Sequence, residues 1–341
     1  MPRLFARPVW PALVLSLVLA ACGQEPPKEW MTDTRVPFVD YGLVWMDNDR
    51  LMFQRMEYDA KKAEKDNPWA AFTFPLSVWS DEGGLETLSR ADITNPCYAP
   101  ATDTLSYQAG HDGSGATFVA GRPGAMTKTP LNTNEDSRLF NRFICAYQDR
   151  PANLEGRILV PLKPGDGVVD LGRQRSADAG RLIKADVAAI PLPFSQNEVS
   201  PEGISADGDG YLVHARTKRG ADCRPIWRLV PGTGATEEAC LPEMKSSRVV
   251  RTALGWALDK REYDRDGDIG DSGIFLARPD GETIKLASGF TENLAASPDG
   301  CRLAFGQARD LNTSCTDGTY KQKTVKIIDL CRLKGEILGE Q

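Results

Sequence analysis

Histidine is almost missing from this chain: His111 and His214 are the two in 341 residues. No HExxH metal motif can be written from them, and no cysteine stands at zinc-ligand spacing from either. The chain also has no CxxC pair, no GxSxG elbow, no phosphate-binding P-loop and no GxGxxG ahead of a helix. The short motifs of zinc sites, α/β-hydrolases and nucleotide enzymes are therefore absent. An excess of positive charge is missing too. Lys and Arg number 41 against 47 Asp and Glu, a formal net charge of −6, where a nucleic-acid binder would show a basic patch and a high pI. Mild acidity of this size reads as plain solubility. Beyond the N-terminus there is no long amphipathic helix and no linker between domains.

The two histidines carry little. His111 lies in Gly110-His111-Asp112-Gly113-Ser114-Gly115. Three triad residue types in one loop are too close in sequence to hydrogen-bond in series, because a triad is defined by mutual geometry. The segment reads as a turn-rich loop. His214 follows Val213 on a strand pattern and points to the opposite face, and no role is assigned to it.

What is present is ordinary core material, 41% hydrophobic and 26% charged, arranged in a recurring strand. Ala296-Ser297-Pro298-Asp299-Gly300 is a turn, after which Leu303 and Phe305 alternate with Arg302 and Ala304. Asp207-Gly208 before Tyr211 and Val213, and Asp47-Asn48 before Leu51 and Phe53, repeat it. In each case the turn Asp precedes the first inward apolar residue by four positions. A motif recurring at long period implies a repeat architecture. The stretch from Ser297 to Phe305 resembles the SPDG-x-x-L/I-A-F strand of TolB-like (WD40-like) β-propeller repeats. The resemblance implies an all-β fold, a single propeller closed radially over residues 31–341. Five blade-like units are readable, and the double-length interval between Leu105 and Tyr211 accommodates a sixth.

Hairpin signals follow the units: Gly83-Gly84, Pro164-Gly-Asp-Gly167, Pro231-Gly-Thr-Gly234 and Pro279-Asp-Gly281. They predict that Arg157–Val160 pairs with Val168–Leu171, that Ile274–Ala277 returns as Thr283–Leu286, and that the last unit ends with Gly335 turning into Ile337-Leu338. Arg181–Ile190 fits a strand or a short helix. Phe53, Tyr107, Trp256 and Phe305 fall in one strand column and are expected as core between blades. Trp79 and Trp227 fall in outer strands and are expected to be partly exposed.

Residues 1–21 read as a targeting segment, with Arg3 and Arg7 ahead of the apolar run Val9–Ala21, which is too short to span a bilayer comfortably. Its end, Leu19-Ala20-Ala21-Cys22-Gly23, resembles a bacterial lipobox. The resemblance implies a lipidated Cys22, residues 22–30 as a lipidated tether, and, since Gly23 is not Asp, the periplasmic face of an outer membrane. An oxidising compartment makes disulfides the default for the other cysteines. Cys223 and Cys240 flank one hairpin; Cys301 begins one strand and Cys331 ends its antiparallel neighbour; Cys97 and Cys145 remain. Cys315 is then free or competes for Cys301.

Asp264, Asp266, Asp268 and Asp271 form the densest acidic run. Alternate carboxylates can converge on Ca²⁺, but an EF-hand needs Gly sixth and Glu twelfth, and here those positions are Ile269 and Phe275. A solvated turn is the competing reading. The expectation from all of this is a membrane-anchored, non-enzymatic propeller that binds another periplasmic or envelope protein, as part of an envelope complex or as toxin immunity. The alternatives are binding of a small ligand, glycan or calcium in the channel, and a propeller hydrolase or lyase.

Overall fold

The computed structural model describes residues 29–38, 43–62, 71–90, 93–99, 103–109, 117–122, 125–130, 143–144, 147–148, 153–154, 157–161, 168–169, 187–191, 199–207, 210–217, 223–242, 246–260, 272–279, 281–308 and 323–333. The fold is all-β, built of successive antiparallel sheets. Sheet A takes Val44–Trp45, Arg50–Gln54, Leu76–Ser80 and Gly84–Ser89 in chain order. Sheet B takes Ile93–Ala99, Thr104–Ala109, Thr117–Arg122 and Ala125–Pro130. Sheet C is Asn153–Leu154, Arg157–Pro161 and Val187–Pro191. Sheet D sets Tyr147–Gln148 beside Val199–Asp207, Gly210–Thr217, Cys223–Val230 and Gly234–Pro242. Sheet E is Ser246–Thr252, Gly255–Lys260, Gly273–Ala277 and Thr283–Ser288.

Sheet F joins the two ends of the chain. Thr291–Ala296, Arg302–Ala308 and Lys323–Asp329 supply three strands, and Met31–Phe38 supplies the fourth. Met31 pairs with Ile328 and Phe38 with Lys323, with a register shift between Asp33 and Pro37 where Arg35 takes φ 56°. Thr34 Oγ1 donates to the Val325 carbonyl at 2.9 Å, and the Asp329 amide donates to Trp30 O at 2.9 Å. The pattern of turns predicted a fourth strand at Ile337-Leu338; those residues lie outside the described ones, and the place beside Lys323–Asp329 is filled from the N-terminus.

Sheets pack face to face, and their inner strands are buried on both sides. Such strands read as apolar runs rather than alternations. Leu51, Met52 and Phe53 are all fully buried, as are Leu303, Ala304 and Phe305. Met52, Leu76 and Val78 of sheet A meet Ile93, Tyr98 and Leu105 of sheet B. On the other face Leu51, Phe53 and Trp79 meet Ala304, Val325 and Ile327 of sheet F. Leu303, Phe305 and Ile328 then meet Ile274, Leu276 and Leu286 of sheet E, and Leu258 and Phe275 meet Leu212 and Ile226 of sheet D. Each seam thus removes several large side chains from water, each contributing about 1.5–3 kcal/mol.

The aromatic column is core as expected: Phe53 and Phe305 are fully buried, and Tyr107 and Trp256 pack against cluster edges. Trp79 departs from expectation. It is 8% exposed, because its strand is the third of sheet A and faces sheet F, and its ring fills that seam. The pairing expected for Arg157–Val160 is also corrected. Its partner is Val187–Pro191, and Val168–Val169 pairs instead with Phe143–Ile144. A Pro-Gly-Asp-Gly signal specifies a turn, and the register of the strands on either side is set by what covers their faces. The ambiguous 181–190 segment contributes a strand, Val187–Pro191.

The antiparallel order gives the sheets two different ends. Tight turns at 46–49 and 81–83 in sheet A, 253–254 and 278–282 in sheet E, and 297–301 in sheet F lie at one. The second and third strands of sheets A, B, E and F, and the third and fourth of sheet D, are joined at the other, through 55–75, 110–116, 261–271, 309–322 and 218–222. Neighbouring sheets hold these ends in line. At the turn end the Ala253 amide donates to Gly300 O at 3.0 Å and the Asp299 amide to Asn48 Oδ1 at 3.0 Å. At the connection end Gln54 Nε2 donates to Ile93 O at 2.8 Å.

Candidate binding face

The connection end holds a floor of buried polar groups where sheets E and F meet. Asp259, the penultimate residue of its strand, is fully buried, and Thr291 Oγ1 donates to its carboxylate at 2.9 Å. Thr291 opens the first strand of sheet F. The next residue, Glu292, is 9% exposed and is paired with Lys323, whose ammonium also lies 5.2 Å from the Phe290 ring centroid. Asn293, 6% exposed, has φ 59°, a left-handed backbone inside a strand. It falls in the register shift between Glu292 and Ala295. Bulges of this kind re-aim side chains at sheet ends, and Asn tolerates the conformation better than most residues. Buried charges at this depth are held by partners of opposite charge or by hydrogen bonds, since uncompensated burial is costly. Among the described residues the chemistry on offer is an acceptor-rich floor with the Lys323 ammonium set into it.

A projecting ribbon lies on the same end. Glu57–Tyr58 and Phe72–Thr73 form a two-stranded hairpin within the 55–75 connection. Tyr58 is 59% exposed and its ring meets Phe72 at 5.1 Å and 51°. The base of the ribbon is fixed: Ala71 is fully buried, Asp59 N donates to Ala71 O at 2.8 Å, and Arg55 reaches Thr87 Oγ1 at 3.0 Å. Arg55 and Arg90 both pair with Glu57. A tyrosine held out to solvent on a fixed base is the residue type that anchors protein interfaces.

The turn end is built from Asp and Arg. Asp47 Oδ1 accepts the amides of Asp49 and Arg50 at 2.9 and 2.7 Å, and Asp299 Oδ1 accepts Ser297 Oγ at 2.6 Å and the Cys301 amide at 3.0 Å. These are the Asx turns that the Asp-Asn and Asp-Gly signals predict. Arg302 reaches across from sheet F to Asp81 at 3.1 Å and Asp49 at 3.5 Å. Within sheet B, Tyr98 donates to Asp103 at 2.8 Å. Burial and the Asp103 carboxylate push its phenol up to about 12.

Cys223 and Cys240 come to disulfide distance across one hairpin, with Cα atoms 5.4 Å apart, and Cys301 and Cys331 tie the last turn to the end of its neighbouring strand at 5.0 Å. Cys97 lies on a strand opposite Ser106, with its side chain outside the described residues. His214 stands opposite Gly203 and Ile226, likewise without a described side chain. Cys22, His111, Cys145, Asp264, Asp266, Asp268, Asp271 and Cys315 lie outside the described residues. In sequence the acidic run falls in the connection 261–271, which begins two residues after Asp259. Among the described residues no three His, Cys, Asp or Glu side chains gather to hold a metal ion. The sequence reading passed over Asp259, Thr291, Glu292, Asn293 and Lys323. The available signal was polar residues interrupting apolar runs, as Thr291-Glu292-Asn293 does between Phe290 and Leu294.

No protein-family model matches the chain, and no curated protein matches it in sequence. Solved structures do resemble it in fold. TolB from Acinetobacter baumannii aligns at 14% identity and TM-score 0.40, over 82% of this chain and 64% of that one. The Pyrococcus horikoshii acylaminoacyl peptidase aligns at 10% and 0.42, over 91% of this chain and 55% of the peptidase. The β-propeller domain of the Trilobed protease from Pyrococcus furiosus aligns at 8% and 0.36, over 81% and 78%. The chain thus spans between about half and two thirds of the length of the first two.

Proposed function

We propose that this chain is a six-bladed β-propeller, anchored by a lipid on Cys22 to the periplasmic face of an outer membrane, which binds another protein without catalysing a reaction. Sheets A, B, D, E and F are five blades and sheet C with the Phe143–Ile144 pair is the sixth. Val187–Pro191 approaches Gly234–Pro242, and Phe143–Ile144 approaches Ile93–Ala99, which are the contacts that radial closure requires. The observation that carries the binding reading is the contrast between the two ends. Tight Asx turns finish one end, while the long connections of sheets A, B, D, E and F start and finish at the other, where Tyr58 stands exposed against the half-buried Phe72. Function on such scaffolds concentrates in connections held by a rigid frame.

Affinity capture of the tagged, lipidated protein from its native envelope, with mass spectrometry, tests this. A stoichiometric partner lost on Tyr58→Ala supports the reading; capture of nothing at stoichiometry overturns it. A second reading has one feature in its favour, the sequence position of the acidic run Asp264–Asp271 in the connection that follows Asp259 and Lys260. If that connection binds Ca²⁺, the ion raises the melting temperature of the wild type and not of Asp266→Asn, because a ligand of the native state stabilises by mass action.

A further inference from the structure

We infer that the tight-turn end of the sheets faces the membrane and that the connection end, with Tyr58 and the polar floor, faces away from it. This rests on the lipid-anchor reading above and adds to it a direction. Glu29 and Trp30 lie at the turn end: Trp30 O accepts the Asp329 amide, Met31 stands opposite Ile328, and Arg332 reaches Glu29 at 3.5 Å. Asp329 closes the same strand pair that Arg302 opens, and Arg302 is the residue bound to the sheet A turns. Phe38, at the far end of the N-terminal strand, stands opposite Lys323 at the connection end.

Length then decides between orientations. From Cys22 to Glu29 is seven residue steps, which reach at most roughly 25 Å when fully extended. The strand Lys323–Asp329 is seven residues and separates the two ends by roughly 20 Å. To bring the connection end to the membrane, the tether would have to lie fully stretched along the side of sheet F, losing nearly all its conformational freedom. With the turn end toward the membrane it keeps that freedom. Asp49, Asp81, Glu82 and Glu29 are exposed on this end, beside Arg50 and Arg332. That mixture, mostly acidic, disfavours flush contact with anionic headgroups, so the end is held off the bilayer within the tether's reach rather than docking on it.

The test uses the full-length lipidated protein in vesicles of phosphatidylethanolamine and phosphatidylglycerol that carry an acceptor dye on a headgroup. An azide-bearing amino acid at Glu82, on the turn end, or at Lys61, on the connection end, takes the donor; both positions are exposed. The mass of the N-terminal peptide is measured on the same preparation. The expected result is a diacylated Cys22 and energy transfer from position 82 about twofold or more above that from 61, given ends ~20 Å apart. A flexible insert after Gln24 long enough to reach past sheet F should bring the two efficiencies together. An unmodified N-terminal peptide overturns the anchoring reading and the orientation with it. A lipidated peptide with equal or reversed transfer overturns the orientation alone.

Discussion

Tyr98 and Asp33 show how single side chains fasten parts of one sheet. The Tyr98 phenol is raised from 10 to about 12 by burial and by its bond to Asp103. A raised pKa means that the folded state holds the proton more tightly. The stabilisation is therefore present below pH 10 and is lost as pH climbs toward 12. Spectrophotometric titration should show a late tyrosine ionisation, and Tyr98→Phe should remove that late step at a cost of about 1 kcal/mol. Asp33 behaves in the opposite sense. Burial opposes its ionisation, but the Lys326 ammonium at 2.6 Å and the Arg35 amide outweigh it and hold the carboxyl below its usual range. Its contribution is present above the ordinary carboxylate pKa and is lost as pH falls through the depressed one. Asp33 is 43% exposed, so after solvent screening Asp33→Asn should cost less than about 1 kcal/mol and soften the acid limb of a melting-temperature profile.

At the scale of the element, the Ser297–Cys301 turn repays attention. Gly300 has φ 72°, and a Cβ there would stand 2.5 Å from Ala253 N and 2.8 Å from Thr252 C of sheet E. Gly300→Ala thus meets both a left-handed backbone, itself worth about 1–2 kcal/mol, and a backbone it cannot move without opening the E–F seam. Chemical denaturation should show a loss above about 2 kcal/mol, more than most turn substitutions. This turn and its strand were the most legible part of the sequence, because Asp-Gly fixes the turn and Leu303 and Phe305 fix the face. The cysteine hairpin was legible for a similar reason. Arg157–Val160 was not, since its partner lies across a long connection and local turn chemistry does not encode it. The buried floor was illegible because Asp259 and Thr291 meet only when two sheets pack, through a pairing of residues 32 apart.

At the scale of the molecule, the N-terminal strand decides whether the last sheet is whole. Removing residues 29–38 would strip the Lys323–Asp329 edge of its partner, together with Val36 from the A–F core and the Asp33–Lys326 pair. An uncovered edge of this length invites pairing with other chains. The truncated protein should melt lower and elute as oligomers on size exclusion, while a truncation ending at Glu29 should behave as the intact domain. The same strand was read from the sequence only as the start of a domain, since Thr32, Thr34 and Val36 give alternation without saying which edge they join.

That strand also imposes an order of events. Thr34 bonds to Val325 across 291 positions of chain, so the Met31–Phe38 strand finds its place only after a strand synthesised 291 residues later has been made. Closure on this scale is slow, because the chain loses freedom before the contact rewards it. A nascent polypeptide of this design leaves sheet F unfinished until Lys323–Asp329 is released. Until then its leading strand is an unpaired edge, and whatever machinery handles the growing chain has to keep it from finding another partner.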